Sequence, residues 1–173
     1  YCCDALNAKA IEELCRIKHL DPKKKALSIA CASLSQVSEY CKMNDRAFRF
    51  IKEHEANYTF ILPASGSLPK VFKHRHEVGV RLAQHPLGQL LTEHLGHPII
   101  TSSLPSEGIQ EIEYLTNPEL IDERFGHAVA RILDVGELPL APSTIVDCTD
   151  EPFEIVRLGH GRLDAEEPLL AER

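Results

Sequence analysis

Asn57-Tyr-Thr-Phe-Ile-Leu62 is the stretch from which the fold is read. Its β-branched and aromatic residues predict a short buried strand. Three companions follow it: Val78-Gly-Val-Arg81, Pro98-Ile-Ile-Thr-Ser-Ser103 and Pro142-Ser-Thr-Ile-Val-Asp147. Each run begins or ends at a Thr, Ser or Arg. In open α/β sheets, ligands collect at strand ends. Four such junctions in one small domain predict a single site for an anionic, hydroxyl-bearing ligand.

Outward from these runs, Asn7 reads as the N-cap of a helix over about residues 8–19, with Ile11, Leu14, Cys15 and Lys18 on one side. Asp21-Pro-Lys-Lys-Lys25 breaks that helix, and Leu27–Cys31 is a strand candidate. Ser33 and Gln36 have the spacing of a capping box for a helix to Tyr40. A further helix runs from Asp45 to His54, with Phe48 and Ile51 expected inside, and Leu68–Phe72 is a helical turn. Pro86 suits the first turn of a helix whose Leu87, Leu90, Leu91 and Leu95 form an apolar face that Gly96 stops. Residues 104–117 read as loop, and Asn117-Pro118 starts a helix to about Phe125. Ala128–Leu133, Thr144–Cys148 and Phe153–Arg157 are strand candidates, and residues 164–173 a loose acidic tail. Helices alternate with strands early and strands cluster late, so a single α/β domain with a mixed sheet is expected.

The 173 residues suit one sizeable core, and 43% hydrophobic with 26% charged residues is ordinary for a globular protein. No apolar run approaches a membrane span. The six cysteines show no C-x-x-C spacing. Cys15, Cys31 and Cys148 fall on apolar patterns, which favours a reduced, cytoplasmic protein over a disulfide scaffold. The net charge of −7 hides an asymmetry: residues 1–81 carry +5 and residues 82–173 carry −12. Overall acidity argues against non-specific nucleic-acid binding, while the basic half can still line a positive cleft.

No P-loop, G-x-S-x-G, G-x-G-x-x-G or H-E-x-x-H is present. Nine histidines invite a metal reading, but no carboxylate or Cys completes a ligand set at useful spacing, so they read as surface residues. Lys18 and Lys23-Lys24-Lys25 read either as a solvated cluster or as a phosphate clamp. Arg81 ends a strand, where its fork suits a carboxylate or phosphate, or else an ion pair with Glu77. Thr101-Ser102-Ser103 is an anion nest or a simple turn. Ser143-Thr144 carries the same ambiguity, and Arg157 is one more cation at a strand end.

Taken in order, these elements resemble the YrdC-like family, and more closely its YciO-like branch. The resemblance covers residues 1–161, with an acidic tail over 162–173. Cys3-Asp-Ala5, Cys15-Arg-Ile-Lys18, Lys25-Ala-Leu-Ser28, Thr59-Phe-Ile-Leu62, Val78-Gly-Val-Arg81, Thr101-Ser102 and Pro142-Ser-Thr-Ile-Val-Asp147 carry it. Asn57-Tyr58 points to the YciO-like branch. The resemblance implies a twisted open mixed sheet flanked by helices. It also implies synthesis of threonylcarbamoyl-adenylate from threonine, bicarbonate and ATP for tRNA modification, with Mg²⁺. Under it, Lys18, Lys25, Ser28, Ser102, Ser143, Thr144 and Arg157 serve the nucleotide. Thr59, Arg81, Thr101 and Ser102 serve threonine, and Lys25 and Arg81 carry the catalytic charge.

Several positions depart from the family pattern. The Thr-Asp-Thr-Val-Tyr-Gly strand is expected just before Tyr1, so the chain reads as the interior of a longer protein. Lys-x-Arg becomes Lys18-His19-Leu20, Pro-Gly-Pro becomes Glu55-Ala56-Asn57, a proline becomes Ala83, and Ala-Asn becomes Ser103-Leu104. These changes predict weak synthase activity. Two other readings stay open: an RNA-binding or ribosome-associated module using the same concave surface, and a nucleotide-binding accessory protein without turnover. Aromatic residues at 6% count against stacking platforms for RNA.

Overall fold

The structure is a computed structural model, and it describes residues 1–21, 27–70, 72, 76–163 and the backbone of 170–172. Among these, eight strands form one mixed sheet: β1 (Cys2–Asp4), β2 (Ser28–Cys31), β3 (Tyr58–Pro63), β4 (Glu77–Leu82), β5 (Ile99–Thr101), β6 (Thr144–Asp147), β7 (Phe153–Arg157) and β8 (Leu170–Glu172). Their order is β1-β5-β2-β4-β3-β6-β7-β8. β2 runs parallel to β4, β3 to β6 and β7 to β8, while the other neighbours are antiparallel. Part of the expected loose tail is therefore a strand. The sheet belongs to one compact unit, residues 1–102 and 142–173. Residues 103–141 form a second, smaller unit.

Side-chain alternation divides the sheet into two faces. One carries Ile29, Cys31, Phe60, Leu62, Val78, Val80, Ile100 and Val146, all buried in a single core. Helices α1 (Ala8–Ile17), α2 (Leu34–Tyr40) and α3 (Asp45–Glu53) close that core with Ile11, Leu14, Val37, Phe50 and Ile51. Caps fix where each helix begins. Asn7, Ser33 and Asn44 accept from the backbone N–H three residues on, at 3.2, 3.2 and 2.8 Å. Gln36 turns back to accept from the Ala32 N–H at 2.9 Å.

The other face carries Ser28, Ala30, Gly79, Arg81, Thr59 and Arg157. Helix α4 (Pro86–Leu95) lies against β2, where Ala30 and its β5 partner Ile99 are buried outside the main core. Gly96 ends α4 at φ 72°, a left-handed conformation that glycine adopts without strain.

Three expectations are corrected. Phe48 is 40% exposed, and α3 buries Ala47 and Phe50 beside the expected Ile51. The reason is that Phe50 takes the aromatic contacts with Phe60 and Phe153, at 5.9 and 5.4 Å between centroids. In α4, Leu90 and Leu95 are exposed, while Thr92 is buried and Gly88 sits where a Cβ would lie 3.5 Å from Ala83. Small residues bring this helix close to the sheet, and its leucines flank the contact. Ala128–Leu133 is not a strand. Within the smaller unit, α5 (Pro118–Phe125) runs into a 3₁₀ turn, Gly126–Ala128, and the following residues join no ladder.

Candidate functional site

The site is built across the second face of the sheet. At its centre a Cβ on Gly79 would lie 2.5 Å from Ser28 Oγ and 3.2 Å from Thr59 Cγ2. Ser28 and Thr59 therefore close in over the glycine from the two neighbouring strands. Thr59 Oγ1 and Ser143 Oγ form a buried hydrogen bond of 2.8 Å. Arg157, at the end of β7, donates from Nη2 to the Ser143 carbonyl at 2.7 Å and from Nε at 3.3 Å.

Arg81 stands on the same face, in register with Ala30 beside it. Burial first, and the charge of Arg157 second, push the Arg81 guanidinium below its ordinary value. A guanidinium nonetheless stays charged at any physiological pH. Among the described residues, neither Arg81 nor Arg157 has a carboxylate partner. The ion pair with Glu77 entertained from sequence does not form. Four residues along a strand span about 13 Å, far beyond side-chain pairing distance. Two cations on one face, with no carboxylate partner among the described residues, are an arrangement that an anionic ligand stabilises.

On the other side of Gly79 the row continues. Ser28 pairs in register with Thr101, whose buried Oγ1 has no hydrogen-bond partner among the described residues. Ser102 accepts from Lys18 Nζ at 2.7 Å through its hydroxyl, and its N–H donates to the Tyr1 carbonyl. Lys18 reaches it from the C-terminal end of α1. From β5 to β7 is five strand spacings, about 24 Å. A row this long suits an extended ligand with more than one polar group.

Thus Ser28, Thr59, Arg81, Ser143 and Arg157 share one face, with Thr101 further along it, while Ser102 turns with Lys18 toward the side that α1 covers. Lys25, like Lys23 and Lys24, lies outside the described residues. Thr144 is placed elsewhere. It is fully buried, its Oγ1 donates to the Gly161 carbonyl at 2.7 Å, and it accepts from the Gly159 N–H at 3.0 Å. Sequence reasoning overlooked Gly79, Gly159 and Tyr58. Two glycines flanking His160 directly after a strand were the available signal of a close backbone approach. Among the described residues, no group of three or more His, Cys, Asp or Glu could hold a metal ion.

The model of the Sua5/YciO/YrdC family, described as "Telomere recombination", matches residues 1–159. The chain belongs to the Sua5/YciO/YrdC family. It is 34% identical over 162 residues to the uncharacterized protein YciO of Escherichia coli K12, covering 92% of this chain and 77% of that one. It is 30% identical over 164 residues to threonylcarbamoyl-AMP synthase of Vibrio vulnificus YJ016, covering 91% and 84%. The crystal structure of E. coli YciO superposes with a TM-score of 0.82 at 32% identity, over 93% of this chain and 78% of that one. The P. abyssi Sua5 structure complexed with L-threonine superposes with a TM-score of 0.80 at 26% identity, over 91% and 46%. The mixed α/β sheet is thus that of the Sua5/YciO/YrdC family. Each residue of the row falls within the part of the chain the family model spans.

Proposed function

We propose that this face binds an adenine nucleotide together with a small hydroxyl-bearing amino acid. The reaction that follows is threonylcarbamoyl-AMP synthesis from threonine, bicarbonate and ATP, in the service of tRNA modification in the cytoplasm. One observation carries the reading: Arg81 shares a face of the sheet with the Thr59–Ser143 hydroxyl pair on which Arg157 rests, and neither guanidinium has a carboxylate partner among the described residues. The synthase relatives and the threonine-bound Sua5 neighbour support the choice of reaction.

The chemistry needs no protein nucleophile. Bicarbonate loses hydroxide to give CO₂, and the neutral threonine amine adds to it and gives up a proton, forming a carbamate and water. A carbamate oxygen attacks the α-phosphorus of ATP, and the bond to the β-phosphate oxygen breaks, releasing pyrophosphate. The chain's part is positioning and charge stabilisation. Arg81 holds negative charge on the amino-acid side, and Arg157, steadied by Ser143, holds it on the nucleotide side. Lys18 and Lys25 face the outer phosphates, and Thr59, Thr101 and Ser102 supply hydroxyls. Mg²⁺ favours carboxylate and phosphate oxygens, and this row offers hydroxyls and cations only. The metal therefore belongs to the nucleotide's own phosphates, and no step is assigned to it.

Pyrophosphate release decides the matter. With ATP, bicarbonate and Mg²⁺, release is expected to depend on added threonine and to be slow, given the departures at Leu20, Ala56, Ala83 and Leu104. ATP binding without threonine-dependent release would leave a binding module. Absence of ATP binding, with RNA bound instead, would sink the nucleotide reading.

A further inference from the structure

We propose that Thr144 is a positioning residue: its buried hydroxyl, acting through Gly159, fixes the Ser143 backbone on which Arg157 rests. The inference rests on the nucleotide reading only for the ligand that reports it. Alternation along β6 sends Ser143 and Thr144 to opposite faces. Ser143 meets Thr59 and Arg157, and Thr144 shares its side of the sheet with Tyr58, its partner in register, and with Val146.

On that side the chain leaving β7 folds back over the start of β6. Thr144 Oγ1 uses its proton on the Gly161 carbonyl and a lone pair on the Gly159 N–H. His160 donates its N–H to the Pro142 carbonyl at 2.9 Å, and Tyr58 donates its hydroxyl to the Arg162 carbonyl. A Cβ on Gly159 would lie 2.3 Å from the Pro142 oxygen and 2.5 Å from the Ser143 carbonyl carbon. The Gly159 backbone therefore lies directly on the Pro142–Ser143 peptide, whose next carbonyl is the acceptor for Arg157. A Cβ on Gly161 would likewise lie 2.7 Å from the Tyr58 ring, so this glycine backbone also packs directly against its neighbour. Two residues after Arg157, the chain thus returns to clamp the group that holds Arg157. Thr144 Oγ1, buried and fully satisfied, joins both ends of this loop, alongside the bonds from His160 and Tyr58.

The test compares Thr144→Val, which keeps the shape and loses the hydroxyl, with Thr144→Ser, which keeps the hydroxyl. Ile51→Val, on the buried side of α3, serves as a control for loss of stability alone. Two readouts are followed. One is hydrogen exchange of the Arg157 Nε–H, by NMR on the ligand-free protein at mildly acidic pH. The other is ATP affinity by calorimetry. Thr144→Val should speed Arg157 exchange and weaken ATP binding, each by roughly tenfold, the scale of one charge-assisted hydrogen bond. Thr144→Ser should restore both. If Thr144→Val lowers the melting temperature yet leaves Arg157 exchange where Ile51→Val leaves it, the hydroxyl only stabilises the fold and the proposal is overturned. If the unaltered protein binds no ATP, the nucleotide reading fails, and Arg157 exchange still decides the role of Thr144.

Discussion

A planar fork and a point charge do different work at a residue such as Arg81. Its burial and the charge of Arg157 on the same face make the site a place for a fixed anion, and a guanidinium can hold a carboxylate or phosphate with two parallel bonds. Arg81→Ala should lower threonine-dependent pyrophosphate release by about 10²-fold or more, the scale of losing one preorganised donor. Arg81→Lys should recover only part of the rate, and full recovery would show that charge alone matters. Gly79 makes a second prediction. Its Cβ would press on Ser28 Oγ and Thr59 Cγ2, so Gly79→Ala should cost about 1–3 kcal/mol by overpacking. Denaturant melts should find part of that restored in the Ser28→Ala, Gly79→Ala double variant, because the closer contact is then gone. At this scale the sequence showed which side chains carry chemistry, and less clearly where they point. Thr144 was read as a ligand contact beside Ser143, although period-2 alternation with Val146 already aimed it away. Gly79 looked like a bare strand residue because nothing local reveals what crowds it from neighbouring strands.

Elements were legible where their signals are local. Asn7, Ser33 and Pro86 mark helix starts because each satisfies or omits a backbone N–H within its own turn. Ser33 is a clean case, since its hydroxyl accepts from the Gln36 N–H while Gln36 reaches back to Ala32. Ser33→Ala should therefore lower unfolding free energy by about 1 kcal/mol, and a denaturant melt with no shift would mean that Gln36 alone caps α2. What failed was anything set by packing partners. Phe48 and Phe50 are equally apolar, and only the rings of Phe60 and Phe153 decide that Phe50 turns inward. The leucines of α4 suggested a buried stripe, but close approach to β2 favours Gly88 and Thr92 at the contact. Ala128–Leu133 has strand-forming residues, yet β propensity makes a strand only where a neighbour pairs with it, and here none does.

For the whole molecule, the α/β class followed from the order of apolar runs, but the strand order did not. Pairing of Tyr58 with Thr144 joins residues far apart in the chain, and such contacts leave no local trace. The cysteines show how global burial sets a property that composition only hinted at. All six are free, and Cys31, Cys41 and Cys148 are buried. Desolvation pushes the thiols of Cys41 and Cys148 up to about 12, with Asp147 adding to the shift at Cys148. Burial raises Cys31 in the same direction. The consequence for stability has a definite sign. In the unfolded chain these thiols ionise near about 8.5, so below that pH both states keep their protons and the contribution of burial is complete. Above it the unfolded chain releases protons that the fold retains. Stability then falls as pH rises, by about 1.4 kcal/mol per pH unit for each such thiol, until the folded thiols themselves ionise near about 12. Urea unfolding at neutral pH and at two points above pH 9 should show this decline. The Cys41→Ala, Cys148→Ala double variant should be less stable at neutral pH because of the lost packing, and its stability should fall less steeply with pH. If its alkaline slope equals that of the unaltered protein, the buried thiols are not what the rising pH acts upon.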